Sequence, residues 1–264
     1  MESTKPSVHF TDKYLLTPTN PVIVNLIGAG GTGSQVLTAL GRINISLVAL
    51  GHPGIAVKLF DDDLVTSANM GRQLFTKNEI GFPKSVVLIN RLNRFFGTNW
   101  KAHCKKVSSR SDKNELSGNI IISCVDSIKT RFEIASVLKK MDTKTQSRSR
   151  PVYWMDFGNS RQSGQVILST IGEVKQPASE KYLTHAKLPY LTDEFKELLK
   201  SQPEDLSPSC SMAEALHKQD LFINTTLSAL GASLLWSMFR EGMTHYRGFF
   251  LNLKDFKTQP IPVK

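Results

Sequence analysis

The stretch that most constrains this chain is Val22-Ile23-Val24-Asn25-Leu26-Ile27-Gly28-Ala29-Gly30-Gly31-Thr32-Gly33-Ser34. A β-rich apolar run passes straight into Gly-x-Gly-x-x-Gly and then into a helical pattern, Ser34 to Ile43. Each glycine answers a physical demand. Gly28 makes the tight turn from strand to helix, Gly30 lets backbone N–H groups approach an anion, and Gly33 lets helix and strand pack closely. The helix then faces the anion with unpaired N–H groups and the positive end of its dipole. The motif predicts a nucleotide or dinucleotide site. The bland alternative is a glycine-rich turn in an α/β fold that binds nothing.

After that helix, Leu47 to Leu50 precede the turn Gly51-His52-Pro53-Gly54, and Ile55 to Phe60 read as a second strand ending at Asp61-Asp62-Asp63. Strand, glycine loop, helix, strand and acid make one βαβ unit. Asp61 lies 28 residues beyond Gly33, later than the roughly 20-residue spacing of the dinucleotide fingerprint. The extra turn at Gly51 to Gly54 accounts for the difference. A loop from Leu64 to Gly81 leads to an amphipathic helix from Lys84 to about Phe96, with Val87, Leu88, Leu92 and Phe95 at helical spacing. Ile120 to Val125 is a third strand, and Asp126 follows at its carboxyl end, where open α/β sheets bind ligands. Arg131 to Lys140 reads as the next helix. Val152 to Phe157 and Gly164 to Ser169 suggest antiparallel strands joined through Gly158-Asn159. Residues 171–208 read as a long surface excursion, Leu221 to Phe239 as a final apolar helix, and Gly248 to Leu253 as a last strand.

The predicted fold is α/β: a Rossmann-like, mainly parallel sheet with helices on both faces and an antiparallel C-terminal extension. Nothing marks a clean boundary within the 264 residues, so one domain is expected. It divides into a polar lead-in (1–20), a nucleotide-binding core (21–170) and a partner-binding excursion with the C-terminal helix (171–264). An apolar content of 40% supports a sizeable core. No run approaches the roughly 18 apolar residues of a membrane span, and the first twenty residues lack a signal core; a soluble, cytoplasmic protein is expected. The net charge of +10 points to an anionic partner, with nucleic acid among the candidates. Much of that charge falls in Lys101 to Arg110 and Lys139 to Arg150, whose default reading is solvated loops.

Beyond the second strand the chain reads Asp61-Asp62-Asp63-Leu64-Val65-Thr66-Ser67-Ala68-Asn69-Met70-Gly71-Arg72-Gln73. A dehydrogenase needs only one acid here, for ribose hydroxyls. An arginine near the glycine loop clamps phosphate oxygens, and Lys84 at a helix start adds a second cation. Asp126 suits Mg2+, which favours carboxylates plus nucleotide phosphates. The set fits phosphoryl chemistry on ATP better than hydride transfer. Each member also has a dull reading: Arg72 in a surface ion pair, Lys84 as a solvated helix residue, Asp126 as a helix N-cap.

Taken in order, Gly28-x-Gly30-Gly31-x-Gly33, Asp61-x-Asp63, Asn69-x-x-Arg72-Gln73, Lys84 and Val125-Asp126 with Arg131 resemble the ThiF/MoeB/HesA superfamily of adenylating enzymes, relatives of ubiquitin-activating enzymes. Pro208 to Leu216 with the final helix look most like the ThiF-type protein of bacterial PRTRC cassettes. The resemblance implies an adenylyltransferase that uses Mg-ATP to adenylate the C-terminal carboxylate of a ubiquitin-like β-grasp protein, releasing pyrophosphate. It implies that Gly28, Gly30, Gly31 and Gly33 line the nucleotide loop and that Asp61 takes the ribose. Asp63 would support the site, Asn69, Arg72 and Lys84 contact the phosphates, Gln73 belongs to the same cofactor-binding set, and Asp126 binds Mg2+. It also implies a homodimer.

Two departures from that pattern matter. The three cysteines, Cys104, Cys124 and Cys210, form no Cys-x-x-Cys pair, so no structural zinc is expected. No arginine precedes Arg42, so the N-terminal arginine with which relatives reach a partner subunit's ATP is missing. Cys210 falls near the cysteine some relatives use for thioester or persulfide chemistry. Its Pro/Ser turn before a helical segment favours a reactive thiol, while Glu214 opposes one.

Overall fold

The computed structural model describes residues 5–70, 73–145, 147–201 and 219–264. In chain order the strands are β1 (Ser7–Phe10), β2 (Val22–Ile27), β3 (Ile55–Phe60), β4 (Lys101–His103), β5 (Ile120–Ser123), β6 (Tyr153–Asn159), β7 (Ser163–Thr170), β8 (Leu183–Thr184), β9 (Met243–Thr244), β10 (Tyr246–Asn252) and β11 (Lys257–Pro262). The α-helices among the described residues are α1 (Lys13–Leu16), α2 (Gly31–Ala49), α3 (Lys84–Phe96), α4 (Ile128–Leu138), α5 (Leu191–Glu194), α6 (Lys196–Ser201) and α7 (Ile223–Glu241).

Eight strands form one sheet in the order β11-β10-β7-β6-β5-β2-β3-β4. From β6 to β4 the neighbours are parallel, and from β6 to β11 antiparallel. Strand order reverses at β2, which has β3 on one side and β5 on the other. Alternate residues decide what each face packs against. Val22, Val24 and Leu26 share a core with Ile120, Ile122, Tyr153 and Met155, and α2, α3 and α7 cover it with Leu37, Leu40, Leu88, Ile89, Leu227 and Leu235. Ile27, Phe60, Ile121 and Trp154 face the other way, onto Ile134, Val137 and Leu138 of α4. The central parallel strands are therefore largely apolar on both sides, as strands covered on both faces are, with Asn25 of β2 and Lys58 of β3 as polar exceptions on the second face and β4 as a polar edge.

The expected mainly parallel sheet, its two helical layers and its antiparallel extension are all present. Several boundaries move. Helix α2 absorbs Leu47 and Val48 and stops before Gly51, whose φ of +82° ends it without strain. Helix α4 begins at Ile128 because the Ser127 side chain accepts a hydrogen bond from the Thr130 N–H. Phe95 is exposed, and Ile89 takes the place expected of it in the core of α3.

The polar lead-in needs correction: β1 runs parallel to β8 and antiparallel to β9, and Val8, His9 and Leu15 are buried. The solvated-loop reading of the stretch from Lys101 also needs correction at its start, where residues 101–103 pair with β3 as an edge strand. At the other edge lies β11, which carries Pro260 and Pro262. Within residues 171–201 the chain returns to the sheet, with Leu188, Leu191 and Leu199 buried. Among the described residues no helix is long and apolar enough to cross a membrane.

Candidate functional site

The carboxyl ends of β2, β3 and β5 meet where the strand order reverses, the place where open α/β sheets bind ligands. Gly28 ends β2 with φ of +96°, and a Cβ there would lie 2.5 Å from the Cys124 carbonyl oxygen. Only glycine fits. A Cβ at Gly33 would collide with the carbonyl oxygen of Gly28, so helix and loop touch as the motif requires. A Cβ at Gly30 would meet nothing within 4 Å: that side of the loop is open. Gly30 is the N-cap of α2 and makes no side-chain cap, so the first-turn N–H groups are left for a ligand.

Asp61 follows β3 and braces this loop. Its Oδ2 accepts a hydrogen bond from the Ala29 N–H at 2.6 Å and its Oδ1 one from the Asp63 N–H at 3.0 Å. Burial pushes its carboxyl above the ordinary range, against the Ala29 N–H and the charge of Lys84, which pull it down. Each oxygen retains a lone pair for a hydroxyl. Asp63 fixes the start of α3, because its carbonyl accepts from the Lys84 N–H at 2.9 Å and its Oδ2 from Lys84 Nζ at 2.8 Å. The Lys84 side chain is 7% exposed and that of Asp63 67%. Such a half-solvated pair adds little stability, so a buried lysine here is better explained by what it faces.

Asn69 and Gln73 are buried in the loop after β3. Asn69 is committed locally: its Oδ1 accepts from the Thr66 N–H at 2.8 Å in a capping box. The Gln73 Oε1 is buried with no hydrogen-bond partner among the described residues, an acceptor left open next in sequence to Arg72. Arg72 and Cys210 lie outside the described residues.

Asp126 stands two residues beyond Cys124, which backs the glycine loop. The N-cap alternative does not hold, because Ser127 caps α4 instead. Asp126 is exposed and has no hydrogen-bond or ion-pair partner among the described residues. A buried chain of bonds holds the turn beneath it. Trp154 Nε1 donates to Ser123 Oγ at 2.7 Å, and Ser123 Oγ donates to Asp156 Oδ1 at 2.6 Å. Asp156 pairs with Arg131, which donates to the Val125 carbonyl at 2.6 Å. Arg131 thus fixes the peptide that carries Asp126. Ser123, Trp154 and Asp156 have no sequence signal of their own; they are known only once β5 and β6 are side by side.

Cys104 is exposed just past β4, with its Sγ 3.6 Å from Ser85 Oγ. Cys124 is inert by position, since burial pushes its thiol well up. A cleft of about 270 Å3 opens between Phe60, the residue before Asp61, and Val107 and Leu116, rimmed by Lys106 and Arg110. No cluster of three metal-ligating side chains occurs among the described residues.

Solved structures with the same fold exist. E. coli MccB superposes with a TM-score of 0.58 at 16% identity, over 94% of this chain and 63% of that one. PaaA gives 0.57 at 14% identity, over 92% and 64%. MccB solved with ATP gives 0.52 at 15% identity, over 94% and 65%. At these identities the likeness is one of fold, and this chain spans less than two thirds of the length of each. No curated protein matches the sequence. A family model reaches further than pairwise identity, and the ThiF family model matches residues 20–261, from just before β2 into β11. That span takes in the glycine loop, Asp61, Lys84, Asp126 and all but the last residue of the eight-stranded sheet, and this chain belongs to the ThiF family.

Proposed function

We propose that the chain uses ATP to adenylate a substrate carboxylate, and that this is the C-terminal carboxylate of a ubiquitin-like β-grasp protein. The observation that carries the reading is the meeting, at the strand-order reversal, of an open glycine loop, a helix N-terminus, the Lys84–Asp63 pair and the exposed Asp126. A hydride-transfer site would leave Lys84 and Asp126 without a shared purpose. The ATP complex of the structurally similar MccB supports the choice of nucleotide.

In the reaction a carboxylate oxygen attacks the α-phosphorus of ATP, the bond to pyrophosphate breaks, and an acyl adenylate forms. Two anions must approach, so the barrier is largely electrostatic. The N–H groups of the first turn of α2 and the Lys84 ammonium lower it. Asp61 orients the ribose, and the cleft at Phe60 and Leu116 has room for the nucleoside end. The carboxylate of Asp126, exposed and without a partner among the described residues, suits Mg2+, which neutralises phosphate charge when bound. A homodimer belongs to the same reading; sedimentation as a 29.4 kDa monomer at micromolar concentration would remove it.

The test is ATP–pyrophosphate exchange with and without a β-grasp protein ending in a free carboxylate. Exchange that depends on that protein is the expected result. Exchange with short peptides alone would keep adenylation and discard the β-grasp partner. No exchange with either, together with NAD binding as tight as ATP binding, would overturn the proposal.

A further inference from the structure

Helix α7 meets the start of α2 through two buried polar side chains, Asn224 and Ser228, and Asn224, which nothing in the sequence singles out, is the one packed against Gly31. Asn224 is 2% exposed. Its Oδ1 accepts hydrogen bonds from Thr32 Oγ1 at 2.9 Å and from Asn159 Nδ2 at 2.8 Å, and its Nδ2 donates to Gln219 Oε1 at 3.0 Å. One turn along the same helix, Ser228 Oγ donates to the Thr32 carbonyl at 3.1 Å. Thr32, in the first turn of α2, is therefore gripped at both its hydroxyl and its carbonyl.

Gly31 completes the arrangement. A Cβ there would lie 2.5 Å from Asn224 Nδ2 and 2.7 Å from its Cγ. Neighbouring glycines thus have opposite reasons to be glycine: Gly30 faces open space, and Gly31 makes room for Asn224. The Thr32 hydroxyl proton is spent on Asn224, so at this turn the donors left for an anion are backbone N–H groups. Those groups have no partners within the helix, and the turn that carries them needs support from outside.

We propose that Asn224 is a positioning residue for the phosphates of the nucleotide: from behind the loop it fixes Gly31 and Thr32 in the orientation that aims their N–H groups at the anion. The proposal deepens the ATP reading and rests on it. A carboxamide suits the task because it accepts from two donors on different elements, α2 and β6, while its own N–H is satisfied elsewhere. Aspartate in its place would keep the Oδ1 acceptor and its two bonds, lose the donor to Gln219 and set a negative charge behind the phosphate site.

Calorimetric titration of the full chain with Mg2+ and a non-hydrolysable ATP analogue tests this, alongside the KM for ATP and the kcat of exchange. Asn224→Ala should raise the Kd about tenfold or more, the scale on which loss of a supporting side chain loosens a site. It should raise KM more than it lowers kcat at saturating ATP. Thr32→Val, which deletes only the hydroxyl that Asn224 accepts, should move the Kd in the same direction and serves if Asn224→Ala does not fold. Leu235→Ala, in the core of the same helix, should lower Tm without changing the Kd. Gly31→Ala should weaken binding in the wild type yet add little to Asn224→Ala, where its methyl has room. An unchanged Kd in both Asn224→Ala and Thr32→Val, equal weakening by Leu235→Ala, or full additivity of the glycine substitution would each overturn the proposal. A wild-type chain that takes up no ATP analogue would refute the ATP reading first and this proposal with it.

Discussion

At the amino ends of β5 and β6, His9, Tyr153, Asp12, Arg150 and Asn119 are spent on one another and on nearby backbone. At the carboxyl ends of β2, β3 and β5, Asp62 and Asp126 are exposed and one side of the glycine loop stays bare. The lower network can be followed proton by proton. His9 Nδ1 faces the His185 carbonyl at 2.6 Å, and because a carbonyl only accepts, Nδ1 carries the proton. Burial keeps the ring neutral, so Nε2 accepts from the Tyr153 hydroxyl at 2.8 Å, and that hydroxyl in turn accepts from the Asp12 N–H at 2.9 Å. Arg150 pairs with Asp12, and Asn119 accepts from the Ile23 N–H and donates to the carbonyls of Arg148 and Arg150. One end of the sheet saturates its polar groups to hold the chain together. The other leaves them open, as a site must.

Three substitutions or conditions break or sharpen this contrast. Asp126→Ala, at the open end, should lower the exchange rate by about 100-fold or more, the scale for removing a charge contact in the transition state. Its Tm should stay within about 2 °C of the wild type, because no partner among the described residues is lost. A large drop in Tm would mean that Asp126 holds structure and that the open end is not open. Tyr153→Phe, at the saturated end, strands the Asp12 N–H and His9 Nε2 and should cost about 1–3 kcal/mol in urea unfolding. The kcat of exchange at 25 °C should not move; a slower turnover would couple the two ends.

The smallest effect is in the pH dependence. Burial depresses the His9 pKa; the hydrogen bond to the His185 carbonyl and the charge of Asp12 oppose that depression, and the His185 imidazole adds a smaller push in the same direction as burial. Between the depressed native value and the ordinary value near 6.5, the unfolded chain binds more protons than the native one. Stability should therefore fall as pH drops through that window, by at most about 1.4 kcal/mol per pH unit for one proton. His103, also depressed by burial, adds with the same sign. Melts from pH 7.5 to 5.5 should show a shallower fall in His9→Gln, and an unchanged slope would place the acid sensitivity elsewhere.

What could be read in advance follows from how local each signal is. Val22 to Ile27, the glycine turn and the period of α3 are short-range patterns, and they gave the parallel half of the sheet and the position of Asp61 and Lys84. β1 escaped because four residues of mixed polarity become a strand only when Leu183–Thr184 and Met243–Thr244 come alongside. Asp156 and Asn224 escaped for the same reason: Asp156 is defined by Arg131, 25 residues away, and Asn224 by Thr32, 192 residues away. Gly31 carried a trace, as a glycine the Gly-x-Gly-x-x-Gly pattern does not ask for.

The two prolines of β11 bear on how this molecule meets other chains. Proline has no N–H to give a ladder, so Pro260, opposite Phe249, must turn its nitrogen away from β10. Positions 258, 260 and 262 then face outward, and of these only Thr258 offers an N–H. The far edge, β4, is three residues long and begins at the exposed Lys101. Neither rim is a template for another strand, which guards a broad, apolar sheet against edge-to-edge aggregation. Along β11 a ninth strand would find an outward N–H at Thr258 but none at Pro260 or Pro262, and along β4 only three residues to pair with.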